Sequence, residues 1–502
     1  MDTTLQTNTI ACYKKGYTAV LTAEETGETV VPDRMPDIGM IANTGACVLL
    51  RSKEATDGNV TMQAEIQVCV LYIPDGEAGL RALNLSLPCT ASFDSPEITQ
   101  ECIPEGLMRV CGVEARLLNP RKILVKAEVA AELVCYTRAE ASYCKGVSQE
   151  TGNLVQLHST MAKFSTVAAV CERTFVVTDE YALPSTAAGG EVVRKNAQFR
   201  VEDVKTIANK LIVKGTMLSE VLYTTEGGTI ETASFGTVFS QIVETDSEDI
   251  SPDARVMLMA TGMYYEIVAG ENGPTLSVEL HGVCQVAAMA QHEIEFVSDA
   301  FSNRCACDVE YNPMGVITQS RVSTQRETVR DTVPCKSAVS QVRFATCTVG
   351  RVTVNGDSVS ARVDVELCVA YETGVDDCVS RRIEVNFQGD GDASAVLCAD
   401  NVRCTDVYAV PAGNAAEIRF AVEADLRTET VCSLETVSAI HLDEERPCTQ
   451  DRPSLTVVRA GGSLWELARK YGSTVDLIRQ INELEEDTVP QGSVLFVPRE
   501  RF

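Results

Sequence analysis

The sequence feature that most constrains the fold is an alternation of apolar and polar residues with a period of two, which recurs along most of the chain. Clear examples are the runs 61–68, 123–129, 275–280 and 360–367. Because successive side chains of a β-strand point to opposite sides, this period is typical of half-buried antiparallel strands. Turn sequences such as Asp57-Gly58 and Asn355-Gly356 separate the runs at hairpin spacing. The chain is therefore predicted to be mainly β.

Three sets of sequence marks recur in the same order, about 150 residues apart. The first mark is an aliphatic residue before proline, at Val31, Leu183 and Val333. The later marks are a tyrosine that ends an alternating run and then a phenylalanine: Tyr72, Tyr223 and Tyr371, followed by Phe93, Phe239 and Phe387. These marks predict three tandem units, 1–150, 151–295 and 296–446. Each is expected to be an antiparallel sandwich or barrel of about eight to ten strands.

Length and charge limit the classes of protein to consider. At 502 residues the chain is too long for one ordinary core, and 45% hydrophobic residues are ample for several folded domains. The net charge of −28 argues against nucleic acid as a partner, because phosphates require a basic surface. No run of eighteen uncharged apolar residues occurs, and the start of the chain is polar, so neither membrane insertion nor an export signal is expected.

The chain has 20 cysteines, scattered evenly and without the paired spacing of a zinc site. Several, such as Cys69, Cys135, Cys284 and Cys368, lie inside alternating valine-rich runs. The favoured interpretation is that they are small buried hydrophobic residues in a reducing compartment. The alternative is that they are cross-linked later in the life of the protein.

The last fifty residues have a helical pattern instead. Apolar residues recur at i, i+3, i+4 and i+7 in the set Leu464, Leu467, Ala468 and Tyr471. Ser463 is suited to cap the start of this helix, and Gly472 its end. A second helix is predicted to begin at Thr474, to bury Val475, Ile478 and Ile481, and to end at Asn482. With a short strand on each side, the order is β-α-α-β.

This segment, 453–500, resembles a LysM domain over its whole length. The motifs that carry the resemblance are the Thr456-Val457 strand, Leu464-Trp465 at the helix start, and Pro490-x-Gly492 before the last strand. LysM modules commonly bind N-acetylglucosamine-containing glycans in a shallow groove between two loops, and some dock proteins. The resemblance implies that this groove is formed by Gly461, Gly462, Ser463, Leu464, Trp465, Asn482, Pro490 and Gly492. The usual Gly-Asp-Thr turn of the family reads Gly-Gly-Ser here, which favours a protein ligand.

Trp465 is the only tryptophan of the chain. An indole beside a glycine turn can stack on a glycan or anchor a partner protein, because it buries a large area at little entropic cost. The other interpretation, which we favour, is that it seals the helix against the small sheet.

The body also resembles a known family. An opening Val-Pro-Asp-x-x-Pro-Asp-Ile at 31–38, a Val-Leu-Tyr strand at 70–72 and one C-terminal LysM domain resemble the SPOCS-repeat proteins of spore-forming clostridia. The resemblance implies three SPOCS-like repeats. It further implies a mother-cell cytoplasmic protein at the forespore surface, whose LysM domain binds the ATPase that forms the basement layer of the spore coat. The partners of the repeats would be other coat proteins.

The sequence offers few candidates for a catalytic motif. The four histidines are far apart in the sequence, and His292-Glu293 lacks the second histidine of a zinc-protease motif. The Gly389–Asp392 loop could hold calcium, although a solvated turn is favoured. We therefore expect no enzyme, no catalytic residues, no metal and no cofactor, and predict a coat-assembly scaffold. The alternatives are a peptidoglycan-binding protein of the wall or spore cortex and, less favoured, a wall hydrolase targeted by its LysM module.

Overall fold

The structure is a computed structural model that describes residues 3–77, 79–148, 154–270, 273–389, 395–447 and 455–499. It is 80% strand and 4% helix, which confirms the predicted mainly β class. The Gly389–Asp392 loop and the linker to the C-terminal segment lie largely outside the described residues.

The strands of the body follow one order three times. The first unit contains β1 (Leu5–Val30), β2 (Ile38–Thr56), β3 (Asn59–Pro74), β4 (Arg81–Asp94), β5 (Ile103–Asn119) and β6 (Lys122–Val147). The second contains β7 (Gln156–Ala182), β8 (Val192–Ile207), β9 (Lys210–Thr224), β10 (Ile230–Glu244), β11 (Ala254–Gly270) and β12 (Gly273–Phe301), with a 3-10 turn at Ser185–Ala187. The third contains β13 (Cys305–Pro334), β14 (Val339–Asn355), β15 (Ser358–Tyr371), β16 (Asp376–Gln388), β17 (Ala395–Pro411) and β18 (Ala415–Pro447).

Each unit is built from two antiparallel sheets of three strands. In the first unit β3 lies between β2 and β4, while β6 lies between β1 and β5. The same pairing recurs in the other two units. Single bridges, Tyr13 to Val167 and Ile317 to Ser165, join the sheets that contain β1, β7 and β13 into one nine-stranded sheet.

The expected eight to ten strands per unit were wrong, since the described residues of each unit form six longer strands. Their lengths run from 13 residues in β16 to 33 in β18. Irregularities such as the register shift between Lys15 and Thr18 allow β1 and β6 to stay paired over nearly their whole length. A bulge of this kind bends a strand without ending it. The predicted boundary at 295 falls inside β12, which continues to Phe301, and the division into domains stays a prediction.

The recurring sequence marks occupy equivalent places in the three units. Val31, Leu183 and Val333 directly follow or end the first strand of each unit, and all three are buried. The tyrosines lie at or near the end of β3, β9 and β15, and the phenylalanines lie on the neighbouring strands β4, β10 and β16. All six aromatic rings are buried, each in the core of its own unit. The marks therefore recur because each unit buries the same anchors between its two sheets.

The three units close on one another in a ring. Strand β2 contacts β11 of the second unit, β8 contacts β17 of the third, and β14 contacts β5 of the first. Polar side chains link all three pairs of units. Arg51 Nη1 donates to Thr261 O at 2.7 Å, Arg255 Nε pairs with an Asp400 oxygen at 3.1 Å, and Arg351 Nη2 pairs with a Glu128 oxygen at 2.7 Å. The repeats thus form one body.

The C-terminal module has the predicted β-α-α-β order. It contains β19 (Leu455–Ser463), α1 (Leu464–Tyr471), α2 (Val475–Ile481) and β20 (Thr488–Pro498). The Ser463 hydroxyl accepts a hydrogen bond from Trp465 N at 3.1 Å, and Gly472 ends α1 with a left-handed φ of 68°. Ile478 is buried in the module, but Ile481 is 46% exposed, so its predicted burial was wrong. Ile481 is the last residue of α2, which Asn482 ends after two turns, and its side chain faces solvent.

Candidate binding site

The two loops predicted to line the groove lie side by side. Gly462 pairs with Val489 and Ser463 with Thr488, so the end of β19 meets the start of β20. Leu464 N donates to Asp487 O at 2.8 Å, which ties the helix start to the same loop. The structure therefore brings the two predicted segments together. The assignment of a ligand to them stays a prediction.

The glycines of these loops are required by close backbone approach and by backbone angle. A Cβ on Gly461 would lie 2.4 Å from Gln491 Cα, closer than any real side chain. Gly462 and Gly492 have φ of 100° and 87°, in the region that favours glycine. Gly461, Gly462 and Gly492, which were predicted as groove residues, are therefore needed for the two loops to pack together.

We expect Gly461→Ala to destabilise the module by about 1–3 kcal/mol, because the new methyl group must push away the backbone of Gln491. The measurement is thermal unfolding followed by the fluorescence of Trp465. Gly315→Ala is the matched control, since a Cβ at that position would meet no atom within 4 Å. An unchanged transition for Gly461→Ala would show that the loops are not in contact.

The side chains of Leu464 and Asn482 are used by the fold. Leu464 is fully buried in the module core. Asn482 Nδ2 donates to Ile478 O at 2.8 Å and to Phe496 O at 2.6 Å, and its Oδ1 accepts from Phe496 N at 2.8 Å. Asn482 thereby ties the end of α2 to β20.

Trp465 lies against the repeat body, with only 8% of its surface exposed. Its Nε1 donates to Asp299 Oδ2 at 2.8 Å. Its ring is 4.7 Å from that of Phe301, edge to face, and 5.0 Å from that of His158. The indole of Trp465, whose backbone N is bonded to Ser463 of the loop, thus also has a partner surface on β7 and β12. Sequence reasoning missed these three partners because they are far away in the chain and no local pattern marks them.

The Asp299 carboxylate accepts from four donors. Burial alone would raise its pKa, but hydrogen bonds from Trp465, Tyr311 and the Ala300 backbone, together with the charge of Arg469, bring the pKa below its ordinary value. A carboxylate with a lowered pKa contributes stability that is present above its unfolded pKa and is lost as pH falls through its folded pKa. Asp299 is therefore ionised, and its bonds to the module are intact, at neutral pH.

The outer face of the β19–β20 sheet exposes a group of apolar side chains, here called the outer sheet face. Its members and their exposed fractions are Leu455 (45%), Val457 (58%), Val494 (56%) and Phe496 (45%). Val457 and Phe496 are directly opposite in the ladder, while Val458, Leu495 and Val497 point inward and are buried. Both faces of this small sheet are therefore apolar. The signal in the sequence is the run Val494-Leu-Phe-Val497, which does not alternate.

A second concavity lies where the three units meet. A cavity of about 870 Å³ is lined by residues of all three, with charged groups of both signs. Arg194 Nη1 donates to Asn43 Oδ1 of the first unit at 2.8 Å, and its Nη2 donates to Thr346 Oγ1 of the third at 3.3 Å. This side chain therefore connects three repeats across the cavity wall.

The described part of the chain has neither a cluster of metal-ligating side chains nor a helix suited to a membrane. No group of three or more histidine, cysteine, aspartate or glutamate side chains there is placed to hold a metal ion. None of its helices combines the length and apolar character that a bilayer span requires. The cysteines of the described ranges are all free, and most are buried.

Comparison with known protein families identifies two domains. The LysM domain model matches residues 456–498, which is the β-α-α-β module. The SipL, SPOCS domain model matches residues 190–267, which covers β8 to β10 and most of β11 in the second unit. Comparisons with curated proteins and with solved structures gave no match.

These matches confirm the resemblances drawn from the sequence motifs. SPOCS and LysM domains are non-catalytic domains of binding and scaffold types, and LysM is a glycan-binding class of module. The SPOCS domain indicates a spore-related location. The chain therefore combines a SPOCS domain of the SipL type with a C-terminal LysM domain, and this combination supports a sporulation-related protein.

Proposed function

We propose that this protein is a non-enzymatic scaffold of spore coat assembly, which docks through its LysM module to the ATPase of the coat basement layer at the forespore surface. The observation that carries the proposal is the outer sheet face, Leu455, Val457, Val494 and Phe496. Contiguous exposed apolar side chains on a small module are typical of a protein-docking surface.

The chemistry of this face suits a protein better than a glycan. Three of its four side chains are aliphatic, and they offer area to bury but no hydrogen-bond donors or acceptors. A sugar polymer is covered with hydroxyl groups, and each of these costs free energy when it is buried without a partner. A protein partner with a matching apolar patch has no such cost.

The repeat body provides the scaffold. We propose that all three units are SPOCS-like repeats, because they share one strand order and the same buried anchors. The acidic residues of the chain lie mainly in this body, since the LysM segment has nearly equal numbers of acidic and basic residues. Partners with basic surfaces among the coat proteins would be attracted to it.

The alternative is a peptidoglycan-binding protein of the wall or spore cortex. The LysM match itself favours this function, as does the close approach of the two loops that form the family's groove. In that case ligand binding depends on the loops around Gly461 and Pro490, and changes on the outer sheet face leave it intact.

The test is a double variant of the full-length protein, Val457→Glu with Phe496→Glu. We expect at least a tenfold loss of affinity for the purified basement ATPase, because two buried apolar contacts become charges without partners. Val238→Glu is the matched control, since Val238 is an exposed valine on a strand of the body, with 77% of its surface accessible. Sedimentation with peptidoglycan is measured in parallel. Wild-type protein that sediments with peptidoglycan and does not bind the ATPase would refute the proposal.

A further inference from the structure

The contacts between the LysM module and the repeats centre on the carboxylate of Asp299, which lies near the end of β12. Its two oxygens have different partners. Oδ1 accepts from Tyr311 Oη at 2.7 Å and from Ala300 N at 2.8 Å, both in the body. Oδ2 accepts from Trp465 Nε1 and from Arg469 Nη1, each at 2.8 Å and both on α1 of the module. The body thus orients one oxygen so that the other is presented to the module.

Two rings of the body pack against the Trp465 indole beside this carboxylate. Phe301 of β12 is 5% exposed and packs within the core of the LysM module, so the body supplies a side chain to that core. His158 of β7 lies on another side of the indole and is held by Ser298, whose Oγ is 3.0 Å from His158 Nδ1. If the module moved away from the body, the rings of Trp465 and Phe301 would both lose this contact.

We propose that Asp299 is a latch, which holds the LysM module against the repeats with the Trp465 face of α1 covered. The outer sheet face lies on the two strands and stays exposed in this latched arrangement. The two surfaces of the module therefore differ in access, and a ligand that needs the Trp465 face must first displace Asp299. The latch is separate from the proposed function, because it involves the covered Trp465 face of the module and needs no coat partner.

The charge of Asp299 explains how this one residue can control the contact between the module and the body. The ion pair of Asp299 and Arg469 and the indole hydrogen bond are both charge-assisted, which makes each of them stronger than a neutral hydrogen bond. Both end on the same oxygen, so a single substitution removes both. The ring contacts of Trp465 with Phe301 and His158 then have to hold the indole without these two bonds.

The only tryptophan of the chain is the natural reporter for this contact. In the full-length Asp299→Ala variant we expect the fluorescence of Trp465 to shift to the red, and its quenching by acrylamide to increase roughly threefold, because the indole gains contact with water. Glu293→Ala is the matched control, since Glu293 is an exposed carboxylate on the same strand that pairs with Lys163 of β7. Its fluorescence should stay like that of the wild type.

Unfolding of the module would also expose Trp465, so a second measurement separates the two events. The LysM module of the Asp299→Ala variant should still unfold in a cooperative thermal transition, although without Phe301 in its core, whereas Leu464→Asp, which places a charge in that core, should lose the transition. Unchanged quenching in Asp299→Ala would overturn the latch. Wild-type protein whose Trp465 is already fully accessible to acrylamide would overturn it as well. Neither result bears on binding to the basement ATPase, so the two proposals can fail separately.

Discussion

Replacing Arg427 with methionine is expected to lower the free energy of unfolding of the repeat body by about 1–3 kcal/mol, the cost of leaving buried hydrogen-bond acceptors without their donor. The Arg427 side chain is only 6% exposed and pairs with Asp253 at 2.8 Å and with Asp400 at 3.6 Å. It also donates to Ala254 O at 2.9 Å. Asp253 and Ala254 belong to the second unit and Arg427 to the third, so the loss occurs at the contact between units.

Arg255 makes the reciprocal connection across the same contact. It comes from the second unit and pairs with Asp400 of the third at 3.1 Å, with side chains 16% and 8% exposed. Arg427→Met leaves the ion pair of Asp400 with Arg255 in place and removes the ion pair of Asp253. Urea unfolding measures the effect. Arg116→Met is the control, since Arg116 is 77% exposed and its pair with Glu114 is of the surface kind that contributes little. Equal stability of the two variants would show that the interface does not depend on buried charge.

Glu105→Gln is expected to raise stability at pH 8 by about 3 kcal/mol and to change it little at pH 4.5. Glu105 lies on β5 with 2% of its surface exposed, and neither carboxylate oxygen has a hydrogen-bond partner among the described residues. Burial raises its pKa to about 7, against the opposing charges of Arg255 and Lys53. Gln has the same shape without the charge.

The sign of this pH dependence follows from proton binding. The ordinary carboxyl pKa of 4.5 lies below the folded value, so between these two pH values the folded state holds a proton that the unfolded state has released. Stability from this group is therefore complete at pH 4.5 and decreases as pH rises through 7. Thermal unfolding of both proteins from pH 4.5 to 8 tests this, with Glu114→Gln as an exposed control on the same strand. A Glu105→Gln effect that is independent of pH would contradict the reason given.

Arg427→Met and Glu105→Gln both act where the repeats meet. Arg255, Arg427 and Glu105 lie close to one another because three different units approach at this point. The proposed scaffold role would need such connections to keep binding surfaces in a defined arrangement, since separate domains on linkers move relative to one another. The ring of contacts makes the three repeats one platform for the LysM module.

Local patterns were sufficient for the secondary structure and for the LysM fold. Alternation predicted the strands because each strand buries one side, and the Ser463 and Gly472 caps marked the ends of α1 correctly. The number of strands was overestimated because a bulge and a turn look alike in sequence. Ile481 was assigned to the core because the helical period continues through it, whereas α2 ends there at Asn482. Each error concerns the point at which a regular element ends.

The sequence by itself determined which residues form strands, which segment forms the LysM module, and which anchors recur in the three units. These properties depend on neighbours a few positions apart, where period and capping chemistry act directly. Only the tertiary structure decided that the first and third units meet to close a ring, that the buried Glu105 carboxylate has no hydrogen-bond partner among the described residues, and that Trp465 faces Asp299 across 166 residues of chain. Contacts of this kind depend on how whole sheets pack, and a carboxylate far away in the chain has no local pattern that marks it as the partner of an indole.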